Sequence, residues 1–331
     1  MWVVISKTIN NQNLKQLFLF LLLIVSSAML SAQAAPIGGQ VTVGTGNISQ
    51  SGNTTTIHQQ SQNLSLSWNK FDIAPKETVN FAQPGSHAIA VNRVLGSNQA
   101  SQIQGHLNAN GQVWLINPNG VVFGKNSTVN VGGLLASTLD IADSELNKSQ
   151  RQFSGSGKGS IINKGNIQAV TGGYVAMIAN TVSNQGRITT PQGTTALAAG
   201  SQVTVTFAEN QLTGIRVDKS TLNNLVENKQ IIRANGGTVI MTAGAHDSLL
   251  SSAVNNSGIV EAQTLSQHKG NIVLLGGMKA GSTTVSGKLD ASAPNGGKGG
   301  SVETSVAQVK ISPEAKITTK SSQGMAGTRA G

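Results

Sequence analysis

The 331-residue sequence contains no cysteine. That excludes disulfide staples, thiolate zinc sites and cysteine nucleophiles. In an exported chain it has a further consequence, because no disulfide can close a loop too bulky to thread a narrow pore. Aromatic residues are scarce as well, at 3%, with one tyrosine and three tryptophans. A nucleic-acid surface combines a concentrated basic face with aromatics that stack on bases, so no nucleic-acid partner is expected. Charge is thin: 11% of residues are charged, with 23 Lys and Arg against 13 Asp and Glu, a net charge of +10. The excess is scattered, and its nearest approach to a cluster, residues 219–233, also holds Glu227. A solvated surface accounts for it, with weak attraction to anionic polysaccharide or lipid headgroups as the alternative.

Long apolar runs are confined to the amino terminus. Lys7 and Lys15 precede the apolar residues 17–25, which lead through Ser26, Ser27, Ala28, Met29 and Leu30 to Ala32-Gln33-Ala34. This basic, apolar, small-x-small order reads as a secretory signal peptide over residues 1–34, cut after Ala34. The strongly apolar run is shorter than the roughly 20 residues that a bilayer core requires of a helix. No later segment is apolar enough to span as one, so no transmembrane helix is expected after cleavage. Cleavage removes two lysines and no acid, leaving +8.

What is present is strand grammar: short alternating apolar runs between Gly, Asn and Ser. Examples are Leu64, Leu66 and Trp68; Val79 and Phe81; Ile89 and Val91; Val113 and Leu115; Val129 and Val131; and Val203, Val205 and Phe207. Only the polar stretches 138–153 and 219–229 could be helical, as surface excursions. From about residue 160 a degenerate repeat emerges. Ile161-Ile162-Asn163-Lys164-Gly165 lines up with Val182-Ser183-Asn184-Gln185-Gly186 and with Val254-Asn255-Asn256-Ser257-Gly258, and more loosely with the stretch from Val285 to Ala291. Between these copies recur Gly172-Gly173-Tyr174-Val175, Gly236-Gly237-Thr238-Val239, Gly270-Asn271-Ile272-Val273 and Gly299-Gly300-Ser301-Val302.

Asn163 and Asn184 are 21 residues apart, and Gly172 and Gly236 are 64 apart, close to three such periods. A period near 21 fits one coil of a solenoid. The expected fold is therefore all-β, a right-handed parallel β-helix with an N-terminal cap over residues 36–60. Val, Ile, Leu and Ala would fill its interior, and Gly and Asn, with 39 glycines in all, would turn its corners. About 14 coils would fit, stacked at about 4.8 Å into a rod on the order of 60–70 Å. Asn163, Asn184 and Asn256 could stack as an asparagine ladder at one corner, or simply reflect the turn preference of asparagine. Residues 321–331 show no flap to close a last coil, so the chain reads as truncated before a C-terminal cap.

One stretch is more specific. In residues 111–133 the tetrapeptide Asn117-Pro118-Asn119-Gly120 has the composition of a tight turn between two apolar strands. It follows, in order, Trp68-Asn69-Lys70-Phe71-Asp72-Ile73, Val79-Asn80-Phe81-Ala82-Gln83-Pro84, Ala90-Val91-Asn92-Arg93-Val94-Leu95-Gly96 and Ser101-Gln102-Ile103-Gln104-Gly105. Together these blocks resemble the secretion domain of the filamentous haemagglutinin family of two-partner secreted exoproteins, over about residues 36–141. A second turn of sequence Asn-Pro-Asn-Leu, carried by some members, is missing.

The resemblance implies a secreted or surface-bound adhesin-type protein whose amino-terminal domain is read in the periplasm by the POTRA domains of a dedicated outer-membrane barrel transporter. A host-cell or surface glycan would be its receptor. It divides the chain into a signal peptide (1–34), a secretion domain (35–155) and continuing β-helix repeats (156–331). Residues 117–120 would serve transporter recognition, by strand addition at exposed backbone, or act as a structural turn that holds two strands in register.

Catalytic signals are thin. Glycoside hydrolysis wants two carboxylates across a cleft, and Asp140, Asp143 and Glu145 form the only acidic cluster, in a polar excursion. His58, His87, His106, His246 and His268 lack metal-ligand spacing. Ser301 stands where a calcium-binding glycine-rich turn needs aspartate, and no phosphate loop opens a helix. The chain reads as a non-enzyme without a cofactor. The competing reading is a β-helical carbohydrate-binding or carbohydrate-active protein exported by another route.

Overall fold

A computed structural model describes residues 35–244 and 252–331. The signal peptide reading falls on residues 1–34 and lies outside the described residues, as does His246. Within residues 35–331 the chain winds as a parallel β-helix of three ladders. The first runs from Thr54–Gln59 through Thr78–Ala82 and His106–Ala109 to Lys316–Thr318. The second runs from Asn63–Trp68 through Ile89–Val94 and Gln112–Ile116 to Thr328–Ala330. Two long strands, Thr128–Ser137 and Asn166–Ala179, bend from the first ladder into the second and join both into one sheet. The third ladder is a separate 8-stranded sheet from Ser101–Ile103 to Gln308–Ile311.

The amino-terminal cap is antiparallel. Gln40–Val43 pairs with Asn63–Trp68, and Gly46–Ser51 with Thr54–Gln59. It ends earlier than residue 60, because Thr54–Gln59 already pairs in parallel with Thr78–Ala82 and so belongs to the first coil.

Each inner face alternates as a narrow interior demands. Leu64, Leu66 and Trp68 point inward, and Trp68 meets Phe71 edge-on at 5.3 Å between ring centres. The second ladder departs from simple alternation. All five residues of Gln112–Ile116 are buried, because its outer face is covered too. The cover is a three-stranded antiparallel sheet of Gln150–Ser154, Gln202–Ala208 and Gln211–Lys219 that leaves the coil path. Val203, Val205 and Phe207, expected in a coil, lie in this sheet and pack with Ile89, Val91, Trp114, Leu135 and Ile178 in a second core outside the helix.

That excursion changes the coil arithmetic. Among the described residues the first ladder holds ten strands, not fourteen. Nine steps of about 4.8 Å span roughly 43 Å. Tyr174 aligns with Thr194 and Thr194 with Thr238, so Gly172 and Gly236 are two coils apart, the second enlarged by the antiparallel hairpin. The two stretches that could have been helical are not. One contains a single 3-10 turn, Asp143–Glu145, and then the strand Gln150–Ser154; the other contains the third-ladder strand Asn224–Asn228. In both, burial of Phe153 and Val226 within sheets overrides local preference. No helix among the described residues is long and apolar enough to cross a membrane.

Candidate functional site

Residues 117–120 form a coil corner. The strands they join, Gln112–Ile116 and Val121–Phe123, belong to different sheets and do not pair with each other. The turn therefore sets no register between them. Asn117 is buried and organises the corner. Its Oδ1 accepts from Asn119 N–H at 2.9 Å, its carbonyl accepts from Gly120 N–H at 2.9 Å, and its Nδ2 donates to Gln99 O at 3.0 Å and Ser101 Oγ at 3.1 Å. Gly120 has φ +108° and lies against Ser160 of the next coil, so a side chain there would be both strained and obstructed.

Neighbouring coils clamp the turn from both sides. Asn119 Nδ2 donates to Ser97 O at 2.9 Å, and Pro118 O accepts from Gly159 N–H at 3.2 Å. Its backbone is thus engaged inside the stack, which leaves no open edge at this corner for strand addition. What faces solvent is the surface of Pro118 and Asn119, on a backbone already fixed.

At another corner the buried amides of Asn163, Asn184 and Asn256 lie in one column with Asn228, which fills the gap between the last two. Asn163 Nδ2 donates to Asn184 Oδ1, Asn184 Nδ2 to Asn228 Oδ1 and Asn228 Nδ2 to Asn256 Oδ1, each at 2.8 Å. Asn228 is missed from sequence because its corner reads Asn-Lys-Gln, without the glycine that marks the others, and lies after the long excursion. A glutamine pair plays a similar part early in the chain: Gln83 Nε2 donates to Gln59 Oε1 at 2.9 Å, both buried.

The acidic cluster is structural in its contacts. Asp140 and Asp143 both meet Arg93, at 2.8 and 3.0 Å, Ser65 Oγ donates to Asp143 at 2.6 Å, and Glu145 meets Lys148 at 2.6 Å. This ties the excursion to the early coils. Above it the second core is held by polar contacts among large side chains. Trp114 Nε1 donates to Tyr174 Oη at 2.7 Å, and Tyr174 Oη donates to Gln112 Oε1 at 2.7 Å. Arg151 lies over Phe207 at 4.3 Å and Trp114 at 5.4 Å. Burial, the largest cause, raises the Tyr174 phenol far above its ordinary value and lowers the Arg151 guanidinium from its own.

The profile of the TPS secretion domain matches residues 32–303, from ahead of the cap to the last coils. The chain belongs to the TPS secretion domain family. TPS domains of this kind direct exoproteins of two-partner secretion. The ladders pass residue 155 without interruption, since Val121–Phe123 pairs with Ser160–Asn163 and Thr128–Ser137 with Asn166–Ala179.

Two relatives are heme/hemopexin-binding proteins of Haemophilus influenzae. One is 34% identical over 254 residues, covering 74% of this chain and 27% of that protein; the other is 33% identical over 243 residues, covering 66% and 26%. The chain thus spans about a quarter of their length. The crystal structure of the HMW1 secretion domain from Haemophilus influenzae superposes with a TM-score of 0.62 at 25% identity, covering 88% of this chain and all of that one. That solved TPS domain shares the β-helical fold described above.

Proposed function

We propose that this TPS domain carries its exoprotein to a cognate outer-membrane barrel transporter, whose periplasmic POTRA domains read the folded or partly folded amino-terminal coils. The observation that carries the proposal is the match over residues 32–303 together with a solvent-facing Pro118-Asn119 turn on an immobilised backbone. Recognition at that turn would go through side chains. Strand addition fits the cap better, where Gly46–Ser51 pairs on one side only, with Thr54–Gln59. Folding proceeds from the cap outward, because each coil needs only its predecessor as template, and no nucleotide hydrolysis is required.

Direct binding tests this. Residues 35–331 should bind isolated POTRA domains of the cognate transporter, and deletion of residues 35–53 together with substitution of Pro118 and Asn119 should abolish binding. Undiminished binding by that variant removes both recognition elements from the proposal.

For the exported protein we propose an adhesin or haemagglutinin role at the cell surface, with a host or surface glycan as receptor. A second role, haem or hemopexin binding, is favoured by the names of the two Haemophilus relatives. Adherence to erythrocytes and retention on haemin-agarose distinguish the two.

A further inference from the structure

The coil stack aligns on one corner basic residues that are scattered in the sequence. Where the third ladder turns into the first, the backbone N–H groups of Gln104, Gly124, Lys164, Gln185 and Lys229 donate in turn to the carbonyls of Ile73, Ile103, Phe123, Asn163 and Asn184. Six successive coils are thereby stacked in register. From this corner Lys76, Lys125, Lys164, Arg187 and Lys229 stand exposed, with His106 beside them. Five coil steps of about 4.8 Å put them along an edge of roughly 24 Å.

The row keeps its positive charge. Lys229 is paired with Glu227 at 2.7 Å. Among the described residues no ion pair involves Lys76, Lys125, Lys164 or Arg187. Glu77, the acid next to Lys76, is buried and accepts from Ala74 N–H at 2.8 Å.

A second row runs parallel to the first on the adjoining outer face. Asn108 Nδ2 donates to Asn80 Oδ1 at 3.1 Å, and Asn130 Nδ2 to Asn108 Oδ1 at 3.3 Å. Each amide keeps further donor and acceptor capacity toward solvent. The nearby aromatic rings, Phe81 and Phe123, are buried in the interior and offer no stacking surface.

We propose that this corner binds a linear anionic polysaccharide whose carboxylates or sulfates lie along one edge. The cation row meets the charged groups, and the amide row meets the sugar hydroxyls. A nucleic acid has the charge but would find no ring on which to stack a base. The assignment is independent of transporter recognition, which involves the cap and the turn at residues 117–120.

The test uses the whole exported chain on surfaces bearing heparin or polygalacturonate, with neutral dextran and single-stranded DNA as comparisons. A variant carrying K76Q, K125Q, K164Q and R187Q is compared with one carrying K219Q, K279Q, K298Q and K310Q, which loses the same charge elsewhere. The corner variant should bind the polyanionic sugars roughly tenfold to a hundredfold more weakly, the loss expected for four exposed charge contacts. The control variant should bind as the parent does, and binding should fall with added salt. Equal losses in both variants would reduce the effect to net charge and overturn the site. DNA binding as tight as sugar binding, and lost in the same variant, would overturn the ligand class. If the fourfold variant melts lower than the parent, the single K125Q and K164Q variants, each expected to weaken binding about twofold, decide in its place.

Discussion

Asn184 donates its side-chain amide to Asn228 at 2.8 Å although 44 residues separate them. The bond joins two consecutive coils across the loop that forms the antiparallel sheet. It sits in the middle of a column in which each amide bonds the next inside a buried corner.

Replacing Asn228 with Leu breaks that column: Asn184 Nδ2 keeps only its longer contacts to Gly186 O and Ile231 O, at 3.2 and 3.3 Å, and Asn256 Oδ1 loses the Asn228 donor. Loss of buried amide bonds of this kind costs about 1–3 kcal/mol. A clear drop in urea midpoint is expected for N228L, against no change for the exposed neighbour K229Q. A midpoint equal to the parent's would show that the column contributes nothing to stability.

Glycine is required at the corner between the first and second ladders. A Cβ on Gly193 would fall within the van der Waals radius of the Gly173 carbonyl oxygen in the coil below, and one on Gly237 would meet Gly193 in the same way. Gly193→Ala should therefore misfold the stack or lower its melting temperature steeply. Gly85→Ala, where a Cβ meets nothing within 4 Å, should melt like the parent in thermal circular dichroism.

Tyr174 is the chain's single tyrosine, so its ionisation can be followed alone by tyrosinate absorbance. Burial raises its folded pKa above the ordinary value near 10. Below about pH 10 the phenol is neutral in folded and unfolded chains alike, and the stabilising contribution is fully present. Above that, only the unfolded chain ionises readily, so the contribution drains away as pH climbs toward the folded pKa. Tyrosinate absorbance should rise only as the sheet signal is lost. A rise centred near pH 10 with the sheet signal intact would contradict the buried Trp114–Tyr174–Gln112 chain. Tyr174→Phe should cost about 1–3 kcal/mol by stranding its buried partners.

At residues 117–120 the buried and exposed members should separate. Asn117→Ala removes the bonds to Gln99, Ser101 and Asn119 and should lower stability by about 1–3 kcal/mol. Pro118→Ala with Asn119→Ala should cost under about 1 kcal/mol yet weaken POTRA binding. Parallel losses of stability and binding in all three would make the turn structural only.

The fold was legible because coil physics writes itself into composition: alternating Val, Ile and Leu inside, Gly and Asn at corners. The repeat copies around Tyr174, Thr238, Asn271 and Ser301 do stack in register. What escaped was the second-ladder strand Thr194–Ala199, whose Thr-Thr-Ala-Leu-Ala-Ala holds no Val or Ile, and the strand at Asn228, because a fixed period cannot be followed across the excursion that precedes it. The antiparallel sheet escaped because Val203, Val205 and Phe207 alternate like any coil strand, and only the unbroken apolar run Val113-Trp114-Leu115-Ile116 hinted that an outer face was covered. The cationic corner was invisible because Lys76, Lys125, Lys164 and Arg187 are unequally spaced in sequence and become neighbours only when coils of different length stack.

Export itself tests the central claim most directly. The chain would be expressed with and without its cognate barrel transporter, and the medium assayed for a soluble, strand-rich product beginning at Ala35. Transporter-dependent release, reduced by Pro118 and Asn119 substitutions that leave melting unchanged, is the predicted result. Equal release without the transporter, or retention in the periplasm in its presence, would contradict the account.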